Sequence, residues 1–203
     1  FFFIEARSSF VKRRHHAHKR VLILAGMRQA SSRLEADGRR VGRVPLGEGR
    51  GFADALRRLI REFGVDGLAW MSASDRGVDG RIRRICDEEG IATRVYDDAL
   101  FLTPAEEIDR WFAEHDGARM EDFYRWQRRR TGILMDGGKP AGRRWNFDAE
   151  NREPLPKGGV EIPPLPVAEA DDITAGAIED VGRHFPGAPG DPTAFWLPVT
   201  PES

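Results

Sequence analysis

Between residues 52 and 96, short apolar runs of strand length alternate with amphipathic helices that stop at glycine, and few architectures accommodate that order. Phe52 to Phe63 places Phe52, Leu56, Leu59, Ile60 and Phe63 on one helical face, with Gly64 as the stop. Val65 to Met71 reads as a buried strand, Gly80 to Glu89 as a helix ending at Gly90, and Ile91 to Tyr96 as another strand. Upstream, Phe1 to Ile4 and Arg40 to Leu46 have strand character. A long helix over Arg13 to Ala36 joins them, with Val21, Leu24, Met27 and Leu34 at near-helical spacing and Gly38 where a C-terminal cap belongs. Strand and helix repeated in this way predict an α/β domain built on a parallel sheet flanked by helices.

The pattern changes after residue 97. Thr103-Pro104 followed by Glu106 and Glu107 starts a helix by cap, first-turn proline and acidic first turn, and it runs through Ile108, Trp111 and Phe112. A helix over Met120 to Arg130 carries Phe123, Tyr124 and Trp126. Residues 136–171 are rich in Gly and Pro and show no period, as expected of a long loop. A short helix over Asp172 to His184 precedes a loop-like tail from Gly187. These changes divide the chain into an α/β domain over 1–116 and a helix-plus-linker part over 117–203.

Composition excludes several classes. Five Trp and 12 Phe among 203 residues, with 40% hydrophobic residues, supply a core. No apolar run approaches the ~20 residues that a membrane span needs. The single Cys86 excludes an internal disulfide and any cysteine-ligated cluster, which suits a cytoplasmic location. The chain opens on Phe1-Phe2-Phe3-Ile4-Glu5 without methionine, which predicts a piece of a longer protein, cut at both ends.

The net charge of -1 averages two basic clusters against an acidic remainder. One comprises Arg7, Lys12, Arg13, Arg14, Lys19 and Arg20 with His15, His16 and His18. The other comprises Arg119, Arg125, Arg128, Arg129, Arg130, Lys139, Arg143 and Arg144. Such clusters suit an anionic partner such as a nucleic-acid backbone, although a solvated helix face gives the same pattern. His15 and His18 lie three residues apart, but no further ligand completes a metal site and the surrounding cations repel a metal ion. Glu106, Glu107, Glu121 and Asp122 form no acid/base pair, and no nucleophile motif is present, so no catalytic residue is assigned.

Aromatic residues interleave with arginine over Phe123-Tyr124-Arg125-Trp126-Gln127-Arg128-Arg129-Arg130, and again over Arg144-Trp145-Asn146-Phe147-Asp148-Ala149-Glu150-Asn151-Arg152. Aromatics can stack bases and arginines can hold phosphate. Trp145 and Phe147 could equally pin a loose linker to its domain.

These residues, with Met120-Glu121-Asp122, Thr131-Gly132-Ile133-Leu134-Met135 and Lys139-Pro140-Ala141-Gly142, resemble the deoxyribodipyrimidine photolyase-related proteins, the iron–sulfur bacterial branch of the photolyase/cryptochrome superfamily. Glu5, His15-His16 and Met27-Arg28 upstream, and Phe195-Trp196 with Val199-Thr200 downstream, are similar to the same family, so the resemblance covers nearly the whole chain. It implies a Rossmann-like five-stranded parallel sheet whose first strand lies before Phe1, followed by a long interdomain loop with a short helix. It also implies a helical C-terminal part, absent here, that binds FAD and a four-cysteine 4Fe-4S cluster.

For this chain the resemblance implies a lumazine antenna site with Glu5, Phe10, His15 and His16 as cofactor-binding residues. It implies DNA contacts by Arg128, Arg129, Arg130, Arg144, Trp145, Asn146, Asn151 and Arg152. The sequence departs from the family at Ser72 to Gly77, where a Glu-rich, Trp-containing stretch is usual, and at Ala17-His18-Lys19, where a lysine-rich run is diluted. The expected function is the N-terminal, antenna and DNA-contacting part of a light-dependent (6-4) photolyase-like flavoprotein, monomeric and acting on damaged duplex DNA. A blue-light receptor of the bacterial cryptochrome type and a stand-alone nucleotide- or anion-binding module are the alternatives.

Overall fold

The computed structural model describes residues 1–75, 77–117, 119–148, 151 and 154–200. It divides into two compact units: residues 1–97 with the segment from Leu165 onward, and Asp98–Pro164. The expected boundary at 116/117 falls inside the second unit, and the C-terminal segment returns to the first.

In the first unit, β1 (Phe2–Ile4) pairs in parallel with β2 (Gly42–Val44), in the register Phe2 to Gly42 and Ile4 to Val44. β3 (Gly67–Met71) pairs in parallel with β4 (Ala92–Tyr96). Helices α1 (Arg7–Val11) and α2 (Ala17–Ala36) lie between β1 and β2 in the chain, α3 (Phe52–Phe63) between β2 and β3, and α4 (Val78–Glu89) between β3 and β4. The α/β expectation therefore stands as helices with short parallel strands, arranged as two parallel pairs.

The long helix expected over Arg13 to Ala36 begins only at Ala17. The Ala17 N–H donates to the Pro189 carbonyl at 2.7 Å, a contact with the C-terminal segment that sets where the helix begins. The His16 imidazole caps the helix, with Nδ1 accepting the His18 N–H at 3.2 Å. Glycine ends α3 and α4 as the sequence predicts. Gly64 (φ +57°) and Gly90 (φ +69°) take the left-handed conformation that lets their N–H groups return to the last turn.

Two cores form. Leu24, Val21 and Ala25 of α2 pack against Ala177 and Val181 of the C-terminal helix, with Phe10, Phe185 and Phe195 closing the ends. Leu56 and Ile60 of α3 meet Ile82, Ile85 and Cys86 of α4, over Phe2 and Ile4 of β1 and Leu68 and Trp70 of β3. One helical layer thus covers both strand pairs. Gly42 is needed where α3 sits closest to β2, because a Cβ there would lie 2.9 Å from both Leu59 and Phe63. Between the pairs is a cleft of about 650 Å³, lined by Phe1, Phe2, Phe3 and Ile4 on one side and by Gly67, Leu68, Ala69 and Trp70 on the other. β1 and β3 do not hydrogen-bond across it.

In the second unit, α5 (Ala105–Glu114) and α6 (Met120–Thr131) share an aromatic core. Trp111 is buried, stacks on His115 at 4.5 Å and meets Phe123 at 5.1 Å. The expected featureless loop from residue 136 opens with a small antiparallel hairpin. Its strands are β5 (Met135–Asp136) and β6 (Lys139–Pro140), turning through Gly137 (φ +52°) and Gly138 (φ +79°). A 3₁₀ turn, Ala141–Arg143, follows. Beyond residue 153 the described residues hold no helix or strand until α7 (Asp172–His184), which belongs to the first unit. No helix among the described residues is long and apolar enough to cross a membrane.

Candidate functional site

In the second unit the arginines of α6 converge on one indole. The guanidiniums of Arg125, Arg128 and Arg129 lie 5.5, 5.3 and 4.8 Å from the Trp145 ring. Helical spacing puts positions 121, 125, 128 and 129 on adjoining turns, so the cluster follows from the i, i+3 and i, i+4 rows. Arg128 is only 5% exposed. Its Nη1 donates to the Tyr124 hydroxyl at 3.1 Å and the Trp145 carbonyl at 3.2 Å, and Nη2 donates to the Leu134 carbonyl. Leu134 has φ +57°, a strained value for a leucine, and its carbonyl also accepts from Ala141 N–H at 2.8 Å. Arg128 thus ties α6 to the start of the loop.

The other predicted DNA contacts fall in several places. Arg129 is exposed. Arg130 pairs with Glu107 at 2.5 Å, and the Arg144 guanidinium lies 4.7 Å from the Phe147 ring. Asn146 donates to Glu121 at 3.3 Å, and Glu121 also pairs with Arg125 at 2.5 Å. Asn151 is exposed, and Arg152 lies outside the described residues. A pocket of about 500 Å³ opens beside the cluster, lined among others by Tyr124, Arg128, Trp145, Asn146, Phe147 and Asp148. The structure therefore brings Arg128, Arg129, Trp145 and Asn146 together and places Arg130 and Arg144 at separate contacts. Tyr124, Glu121 and Asp148 belong to the quoted motifs but were not among the expected DNA contacts, although the helical period of α6 carries the first two to the cluster.

In the first unit, Glu5 is buried at the end of β1. Arg28 grips it through Nε and Nη2, both at 2.8 Å, and the Leu46 N–H donates to it at 2.9 Å. Arg28 also donates to Asp180 of α7 at 2.7 Å. The hydrogen bond to Glu5, reinforced by that to Asp180, holds the Arg28 pKa above its ordinary value. A cleft of about 330 Å³ lies here, lined by Glu5, Arg28, Ser31, Arg43 and Asp172 among others. The Ser31 hydroxyl beside it is buried and has no hydrogen-bond partner among the described residues.

The other three predicted cofactor residues do not line this cleft. Phe10 is in the core, 5.8 Å from Phe185, and its carbonyl accepts from Arg20 at 3.2 Å. Desolvation, then the charges of Lys19, Arg20 and Arg13, hold the His15 pKa below its ordinary value. His16 caps α2 and lies against the 189–191 turn, where a Cβ on Gly190 (φ +83°) would stand 2.0 Å from its Nε2. Replacing Gly190 by Ala displaces the cap and forces a left-handed alanine. The expected loss is about 1–3 kcal/mol of folding stability, read from urea denaturation.

The divergent stretch after β3 has its own organisation. Asp79, in the first turn of α4, accepts from Trp70 Nε1 at 3.0 Å, the Ser72 hydroxyl at 2.8 Å and the Ala73 N–H at 3.0 Å. The Ala73 bond first, then that of Ser72, pull the Asp79 pKa below its ordinary value. A carboxyl depressed in the folded state stabilises above its unfolded pKa of about 3.9 and loses that contribution as pH falls through the native value. Asp79→Asn is therefore expected to cost about 1–2 kcal/mol at neutral pH. The gap from the parent should close below about pH 4, measured by denaturation across a pH series.

Among the described residues, no group of three or more His, Cys, Asp or Glu side chains is placed to hold a metal ion. Cys86 is buried on α4, and burial raises its thiol pKa.

Comparison with known proteins sets these sites in a family. Residues 1–197 match the family model described as deoxyribodipyrimidine photo-lyase-related protein. The chain is 33% identical over 200 residues to a protein named (6-4) photolyase from Agrobacterium fabrum (strain C58 / ATCC 33970), an alignment covering 97% of this chain and 39% of that protein. It is 26% identical over 102 residues to Uncharacterized protein R852 of Acanthamoeba polyphaga mimivirus, covering 48% of this chain and 52% of that one. The chain thus spans about two-fifths of the first relative and about half of the second. On the match over residues 1–197, the chain belongs to the deoxyribodipyrimidine photo-lyase-related protein family.

Proposed function

We propose that this chain is the N-terminal, antenna-type and DNA-contacting portion of a light-dependent (6-4) photolyase-like repair flavoprotein. The observation that carries the reading is the 33% identity to a (6-4) photolyase along 97% of the chain. The cluster of Arg125, Arg128 and Arg129 around Trp145 supports it. The substrate would be damaged duplex DNA. FAD and the 4Fe-4S cluster would belong to the remainder of such a protein, because a single buried cysteine cannot supply four thiolates.

Two finer features belong to the same reading. A parallel strand seated in the cleft between β1 and β3 would join the two pairs into a five-stranded Rossmann-like sheet in the order β2-β1-x-β3-β4. Both facing edges have apolar surroundings, and one helical layer already covers both sides. The cleft beside Glu5 suits the ring of a lumazine-type antenna, with the orphaned Ser31 hydroxyl and the Arg28 and Arg43 guanidiniums as donors to it. Bound there, such a chromophore would harvest near-ultraviolet light. Glu5 would act by fixing Arg28. Phe10, His15 and His16 would act on the fold around the cleft.

For DNA, Arg129 is the cluster's exposed cation and the best candidate for a phosphate contact. In the full gene product, Arg129→Ala should lower the slope of log Kobs against log salt by about 0.9 in magnitude for duplex DNA. An unchanged slope would remove Arg129 from the interface.

A further inference from the structure

We propose that the second-unit pocket bounded by Tyr124, Arg128, Trp145, Asn146, Phe147 and Asp148 holds one unpaired nucleotide whose base carries an exocyclic amino group. The inference rests on the DNA-contacting reading above and adds a base-reading subsite to it. Its volume of about 500 Å³ falls in the roughly 300–1,000 Å³ range of small-molecule sites.

Charge selects an anionic occupant. Arg128 is 95% buried by its 5% exposure, yet its guanidinium donates only to neutral oxygens, those of Tyr124, Trp145 and Leu134. Its Nε has no partner among the described residues. Arg129, on the same indole, pairs with no carboxylate among the described residues. Of the three guanidiniums around Trp145, only that of Arg125 pairs with a carboxylate among the described residues, that of Glu121. Arg130 is compensated separately by Glu107, which leaves Arg128, in the pocket wall, and Arg129, on the indole, as the cluster's cations without a carboxylate partner among the described residues. A buried cation without a counter-charge is costly, and a phosphate on the Arg129 side would relieve that cost.

The walls select a base as well. Tyr124 and Phe147 each leave 40% of their surface open, giving rings on which a base can stack. Each of these rings meets one guanidinium, Arg128 at 5.3 Å from Tyr124 and Arg144 at 4.7 Å from Phe147, whereas Trp145 meets three, so a base would stack on the open faces of the first two. An inorganic anion would have no use for the aromatic walls. A base paired within a duplex could not enter a pocket of this kind, so the nucleotide must be unpaired. At the polar edge, where Glu121 is taken up by Arg125 and Asn146, Asp148 offers its carboxylate oxygens. These accept from an exocyclic amino group, which cytosine has and thymine lacks.

The test uses the full gene product and three single-stranded octamers with equal phosphate counts, dC8, dT8 and an abasic octamer, competing at one salt concentration against a labelled duplex. We expect dC8 to bind about tenfold tighter than dT8, with the abasic octamer no tighter than dT8. Asp148→Ala should abolish the dC8 preference, and Arg129→Ala should weaken all three alike. An unchanged urea-denaturation midpoint for Asp148→Ala, whose residue is exposed and lies outside helices and strands, shows that the fold persists. Equal affinities for the three octamers, or a dC8 preference that survives Asp148→Ala, would overturn the subsite while duplex binding upholds the DNA reading. Failure to bind either duplex or octamers would overturn both.

Discussion

Arg128→Ala unfolds the loop of the second unit at markedly lower denaturant, with an expected loss of about 3 kcal/mol. The guanidinium is 5% exposed and holds the Tyr124 hydroxyl, the Trp145 carbonyl and the Leu134 carbonyl. Truncation orphans the Trp145 carbonyl, removes two cation–π contacts, and opens a cavity under the indole. Releasing a buried, unneutralised charge from the interior works in the opposite direction and is the reason the estimate stays below the upper end for buried networks. Arg128→Lys should recover only part of the loss, because an ammonium cannot reproduce a planar fork spanning three acceptors. Arg129→Ala provides the contrast. That residue is exposed, so stability should move by less than about 0.5 kcal/mol while the DNA salt slope changes. A loss below 1 kcal/mol for Arg128→Ala would show that the loop is held by other contacts.

The second large effect lies in the first unit. Glu5→Ala is expected to cost about 3–5 kcal/mol, because Arg28 loses a bidentate partner and the Leu46 N–H loses its acceptor. One carboxylate joins the end of β1, the loop after β2 and, through Arg28 and Asp180, α7. Arg28→Ala should cost a similar amount, and the double variant should cost less than the sum by about 1–3 kcal/mol. Urea denaturation of the four proteins completes the cycle. Strict additivity would mean that Glu5 and Arg28 act independently, against the geometry.

Local signals made much of the fold legible. Gly64 and Gly90 mark helix ends, and the 3.6-residue spacing of Leu56, Ile60, Ile82 and Ile85 marks the faces that meet over the strands. What sequence did not show depends on contacts distant in the chain. The sheet expectation could not reveal that β1 and β3 stand apart across a cleft. The helix expected from Arg13 begins instead at Ala17, set by the His16 cap and by the Pro189 carbonyl, which is distant in the chain. The hairpin at Gly137-Gly138 involves only two residues per strand, too few for a period to register.

At the candidate sites, the interleaving of arginine and aromatic residues marked the stretch in which arginines gather on Trp145. It did not distinguish an arginine buried under an indole from its exposed neighbour, because both read as Arg in a helix and only Trp145, 17 residues on from Arg128, separates them. Family resemblance drew attention to Glu5, which the structure buries against Arg28. Asp180, which Arg28 also holds, was not legible in the sequence, being placed by the packing of α7 on α2.

The central claim is tested most directly by repair itself. The full gene product, purified with its bound flavin, is incubated with an oligonucleotide carrying one (6-4) photoproduct under a reductant, in near-ultraviolet to blue light and in the dark. Restoration of the undamaged bases is expected in the light and none in the dark. A flavin-loaded protein that leaves the lesion intact under illumination would contradict it.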